Sequence, residues 1–129
     1  MHLVDSVKRQ DFVKAVTGEL NLDVCGVAES WLVDKMYFME AELYNSEWSW
    51  YGKERKGRRG GGLGFLVKKV LKPRIVRASK NCNLLWLEVA TDSRWFLAVV
   101  YLIPYDESAN EKTLSDLHRT LSNWRVWVM

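Results

Sequence analysis

The sequence predicts an α/β fold: one mixed, mostly antiparallel sheet with covering helices. Three observations predict it. An amphipathic run at the amino-terminal end leads almost directly into a short apolar strand. Four β-rich runs, 63–69, 74–78, 84–90 and 95–102, then follow with turn residues between them, as in an antiparallel meander. The last of these, W-F-L-A-V-V-Y-L, is apolar at both alternating sets of positions, so each of its faces needs a cover.

Taken in order, Val4, Val7, Phe12, Val16 and Leu20 recur at near-helical spacing among Lys8, Arg9, Gln10 and Lys14, which predicts a helix over 5–20. Asp5 or Ser6 is its cap, and Gly18 and Asn21 are its two candidate stops. The strand D-V-C-G-V-A (23–28) follows and reads as buried on both faces. It ends on Glu29. A carboxylate at the carboxyl end of such a strand stands where open α/β sheets place their ligand crevices, which makes Glu29 a candidate metal-holding or catalytic acid. The other reading of Glu29, a charged residue where a strand meets water, stays open on spacing alone. Residues 34–43 suit a short irregular helix, and Trp48, Trp50 and Tyr51 form a short aromatic alternation. A second helix is predicted over 110–123, with Leu114, Leu117 and Leu121 lining the face that covers the sheet and His118 on the flank of that stripe, at the surface. Arg125-Val-Trp-Val-Met129 reads as the start of another strand, which suggests a piece of a larger fold.

Composition limits what this fold does. The 129 residues are 48% apolar and 12% aromatic, enough for one core and incompatible with a disordered tail. No stretch approaches the roughly 20 apolar residues of a membrane span, and the start lacks the pattern of a signal peptide, so the expected location is intracellular, nuclear or cytoplasmic. Cys25 and Cys82 have no metal-ligand spacing and read as inert thiols. The net charge of +3 hides an asymmetry: residues 53–80 hold eleven Lys and Arg against one acid, net +10, and the remainder nets −7. Such a block raises the local potential toward polyanions, with a merely solvated face as the alternative. Its core, G-K-E-R-K-G-R-R-G-G-G over 52–62, reads as a turn whose Arg55, Lys56, Arg58 and Arg59 face solvent. These four residues are the candidate nucleic-acid contacts. A nucleotide-binding P-loop is excluded, because the stretch lacks the Gly-Lys-Ser/Thr ending and a following helix.

Four motifs in order, L-D-V-C-G-V-A-E-S-W-L (22–32), R-R-G-G-G-L-G-F-L-V-K-K (58–69), L-L-W-L-E-V (84–89) and F-L-A-V-V-Y-L-I-P (96–104), resemble the endonuclease/exonuclease/phosphatase superfamily with its deoxyribonuclease-I-like fold. They look closest to the apurinic-type endonuclease domain of non-LTR retrotransposons. The resemblance implies Mg²⁺-dependent hydrolysis of a DNA phosphodiester, with Glu29 matching the family's metal-binding Glu and Tyr101 its tyrosine near the scissile phosphate. The family's opening strand with its active-site Asn, the G-D-F-N motif and the carboxyl-terminal Asp-His pair have no counterpart in the 129 residues. The resemblance therefore implies one partial domain over 1–129, about half of a four-layer α/β sandwich with its second sheet missing. The rest of the domain or a longer polyprotein is the expected partner beside DNA, and the chain alone is expected to be inactive. With one face of 95–102 lacking its partner sheet, it is also expected to aggregate. Two other readings are a non-catalytic nucleic-acid-binding or interaction remnant, and a phosphatase of the same fold acting on an inositol or sphingolipid phosphoester.

Overall fold

The computed structural model describes residues 3–28, 30, 39, 42–53, 62–78 and 83–123. Helix α1 spans Ser6–Lys14 and starts where Asp5 caps it, its carboxylate accepting from the amides of Val7 (2.9 Å) and Lys8 (3.2 Å). One π turn, Ala15–Glu19, continues it, and the chain passes Gly18 to stop beside Asn21, which takes the left-handed conformation (φ 47°). Of the predicted apolar stripe Phe12 and Val16 are buried, whereas Val4, Val7 and Leu20 are exposed and Arg9 completes the inward line. Arg9 can be buried because its charge is met. Its guanidinium donates to the carbonyls of Leu3 (3.0 Å) and Val4 (3.1 Å) and to Glu42 at 2.5 Å.

Six strands follow: β1 (Val24–Ala28), β2 (Trp48–Lys53), β3 (Leu63–Lys68), β4 (Arg74–Ala78), β5 (Leu84–Ala90) and β6 (Arg94–Val100). They form two antiparallel three-stranded sheets, ordered β1-β3-β2 and β4-β5-β6. With helix α2 (Glu107–Asn123), the chain is a mixed α/β fold, a partial α/β sandwich. The expected single sheet is thus corrected to two, and the local chemistry gives the reason. After β3 the chain makes a 3₁₀ turn (Lys69–Leu71), puts Lys72 in the left-handed region (φ 49°) and meets Pro73, so β4 cannot fold back onto β3 as a hairpin.

Each face of the first sheet has its own core. On one side Leu66, Val27 and Trp48 pack with Phe12 and Val16 of the helical segment and with Leu3, Met39 and Leu43. On the other, Leu63, Phe65 and Val67 meet Leu85, Leu87 and Val89 of the second sheet. The alternation along β3, buried at every position from Leu63 to Val67, is the two-sided burial of a central strand. Leu97 and Val99 of β6 join the inter-sheet cluster and so have a partner sheet, whereas Trp95 and Phe96 of the same strand remain exposed.

The far row of β5, Leu84, Trp86 and Glu88, is buried as well and belongs to neither cluster. The same holds for a stripe of α2, Thr113, Asp116 and Thr120, at i, i+3 and i+7. The buried face of α2 is one residue out of phase with the predicted leucines, and Leu114 is exposed. The threonines tolerate burial because their hydroxyls donate to carbonyls four residues back, Thr113 to Ala109 (3.1 Å) and Thr120 to Asp116 (2.9 Å), which leaves their methyls for packing. Among the described residues no helix is long and apolar enough to cross a membrane.

Candidate nucleic-acid interface

Chain direction sorts the functional candidates between the two ends of the sandwich. β1 and β2 both run antiparallel to β3, pairing Ala28 and Lys53 with Leu63, so the finish of β1, the finish of β2 and the start of β3 share one end. The short link 69–73 carries the chain from the finish of β3 to the start of β4, and the meander then returns β6 toward the end where β1 finishes. β1 and β6 lie in different sheets, a correction to the expectation of one sheet, and they face each other: a Cβ on Gly26 would stand 3.5 Å from Val99. Ala28 and Tyr101 pack on the same inter-sheet cluster.

Glu29 lies outside the described residues, as do Arg55, Lys56, Arg58 and Arg59, but the backbone on either side of them is fixed. Ala28 pairs with Leu63, and the Ser30 amide donates to the Gly62 carbonyl at 3.1 Å. Ala28 and Ser30 are therefore both bonded to the stretch Gly62-Leu63 that begins β3. Gly62 takes φ 85°, a conformation that a side chain would strain. The Ser30 carbonyl in turn accepts from the Leu3 amide (2.8 Å), which ties the amino-terminal segment to the same rim. Lys53, the last residue of β2, begins the basic stretch from the neighbouring strand.

Trp50 lines this end of the first sheet. Its indole lies over the cross-strand glycine pair Gly52 and Gly64, where a Cβ on either residue would collide with the ring. Tyr101 leaves β6 half-buried, with its amide donating to the Asn83 carbonyl (2.9 Å). Beyond it, the Asn110 side chain grips Ile103 on both backbone groups, accepting from its amide (2.7 Å) and donating to its carbonyl (2.8 Å). Asp106 caps α2 through the Ala109 amide (3.1 Å).

The chain matches no protein-family model and no curated protein.

The opposite end is built differently. Glu88 sits between two arginines, Arg74 at 2.5 Å and Arg94 at 3.5 Å, and Asp23 pairs with Lys68 at 3.1 Å. Lys68 also lies 5.5 Å from the centre of the Trp48 ring. The basic block of the sequence is thus split by the length of β3, about 20 Å at a strand's rise per residue. Lys53 stands at one end; Lys68, Lys69, Lys72 and Arg74 stand at the other.

Glu29, the carboxylate that the resemblance matches to Mg²⁺, lies outside the described residues. Among the described residues no three His, Cys, Asp or Glu come together. His118 is exposed on α2, as the sequence indicated. The Cys25 thiol is half-buried and pushed above its ordinary value by loss of solvent, which keeps it protonated and unreactive at neutral pH; Cys82 lies outside the described residues. Sequence reading missed two features: the Glu88 knot, whose signal is a lone acid in an apolar strand, and the Pro-Tyr-Asp turn at 104–106.

Proposed function

We propose that this chain is the DNA-facing part of a phosphodiester-cleaving domain of the endonuclease/exonuclease/phosphatase type, competent to bind and not to turn over by itself. The observation that supports the reading is convergence: Ala28 and Ser30, which flank Glu29 in sequence, and Lys53 and Gly62, which flank the arginine-rich stretch, belong to the end of the sandwich toward which β6 and Tyr101 run, although they are scattered over the sequence. In this reading Arg55, Lys56, Arg58 and Arg59 neutralise successive phosphates, which positions the strand without reading its bases. The Tyr101 hydroxyl donates to a phosphate oxygen, and Glu29 offers one carboxylate toward Mg²⁺. When bound, the ion would polarise the phosphoryl oxygen. The proton of an attacking water still needs a base, and none of the matched motifs supplies one.

A supercoiled-plasmid assay with Mg²⁺, run beside a binding titration on the same DNA, tests both halves. The expected result is salt-sensitive binding with no multiple-turnover nicking, because loss of the base alone removes about 10² to 10⁴ in rate. Turnover abolished by Glu29→Ala would overturn the inactivity; absence of binding at low salt would overturn the DNA reading.

A further inference from the structure

Tyr105 is the one described aromatic that is fully exposed (105%), and its backbone sits in the left-handed region at φ 63°. It occupies the third position of a turn closed by the Asp106 amide on the Ile103 carbonyl (3.3 Å), with Pro104 at the second position. A Pro followed by a positive-φ residue is the type II pattern, whose third position is ordinarily Gly or Asn because a bulky side chain crowds the backbone there. A tyrosine in that place is a conformational outlier. The frame around it is rigid on both sides: Asn110 holds Ile103 by amide and carbonyl, Asp106 caps α2, and the Asn110 amide donates to the Asp106 carbonyl (3.1 Å). The ring is therefore presented to solvent by a turn that its neighbours over-determine. Strained residues of this kind cluster at ligand contacts; Lys72 shares the exposed left-handed backbone, but among the described residues Tyr105 alone joins it to an aromatic ring. Tyr105 also lies four residues past Tyr101, at the end of the sandwich where the basic loop is anchored.

We propose that Tyr105 is a stacking platform for an unpaired base of single-stranded DNA bound at this end. The proposal rests on the DNA-binding reading above and adds the contact that favours an unstacked strand over a duplex. A phenol ring has two open faces here, and every base offers a π-face to either. The contact is thus strand-selective and tolerant of base sequence.

The test uses the full chain and two probes, a labelled single-stranded oligonucleotide carrying 2-aminopurine and the corresponding duplex. Tyr105→Gly keeps the turn without strain and removes the ring; Tyr105→Phe keeps the ring. The expected result is a loss of single-strand affinity of about 5- to 150-fold in Tyr105→Gly, the range for removing one stacked base. Duplex binding and the melting temperature should not fall in that variant. The 2-aminopurine emission should be quenched by the wild type and by Tyr105→Phe, and not by Tyr105→Gly. Wild-type binding that Tyr105→Gly leaves unchanged, or weakens equally for both probes without a difference in quenching, would overturn the stacking role while leaving the DNA reading intact. A wild type that binds neither probe overturns both.

Discussion

The two ends of the sandwich carry similar charge and use it differently. Where β3 finishes and β4 begins, cations meet acids of the same fold: Lys68 with Asp23, and Arg74 and Arg94 with Glu88. Where β1, β2 and β6 finish, the described residues show positive backbone angles at Gly62 and Tyr105, an indole laid on two glycines, and the anchors of an arginine-rich stretch. One end pairs its cations with acids of its own strands, while left-handed backbone occurs at both ends, at Lys72 as at Tyr105. The lesson is that a count of basic residues along a sequence does not locate a binding surface. Internal pairing removes part of the count.

The largest expected effect removes what both ends depend on. Phe65 is buried in the inter-sheet cluster, and Phe65→Ala should cost about 3 to 5 kcal/mol. The transition in denaturant should shift accordingly, and DNA binding should disappear with the fold. A variant that keeps its midpoint would mean the two sheets do not rely on each other.

A sharper division comes from charge removal at one end at a time. Replacing Arg55, Lys56, Arg58 and Arg59 together by Ala should lower the slope of log affinity against log salt by about 0.9 for each duplex phosphate that these side chains no longer neutralise. Replacing Lys69 and Lys72, exposed at the opposite end, should leave the slope as it was. Equal changes from both sets would erase the distinction between the ends.

The smallest effect concerns the self-satisfied end. Glu88→Gln weakens two ion pairs whose arginines are about two-thirds and three-quarters exposed (67% and 76%), so screening leaves only about 1 kcal/mol at stake. A drop of a few degrees in melting temperature with unchanged DNA affinity is expected. A change in affinity instead would give this end a part in binding.

Much of the fold was legible because local chemistry fixed it. Asp5 capped the first helix, Pro73 and the turn at 91–93 broke the strands where expected, and β-branched and aromatic runs became β3 to β6. The division into two sheets was less legible. Apolar residues on both faces of a strand say that two covers exist, and they do not say whether a cover is a helix or another sheet. The phase of α2 failed for a related reason: a threonine bonded to its own helix counts as apolar in packing and as polar in composition. Of the candidate site, Tyr101 entered through the resemblance and not through composition, the turn assigned to 52–62 lies mostly outside the described residues, and Tyr105 was hidden because a backbone angle leaves no mark on composition.

The pairing of β1 with β3 has a consequence for how firmly the candidate site is held. Ala28 meets Leu63 across residues 29–62, a closure of 34 residues, whereas Ala90 and Arg94 close over three. Chain statistics make the longer closure dearer by roughly 2 kcal/mol. The segment inside that long closure contains both Glu29 and the arginine-rich loop. The pairing of Ala28 with Leu63 is therefore held by the two apolar layers that clamp β3 from either side, so loosening of the core releases this long closure before the meander of the second sheet begins to open.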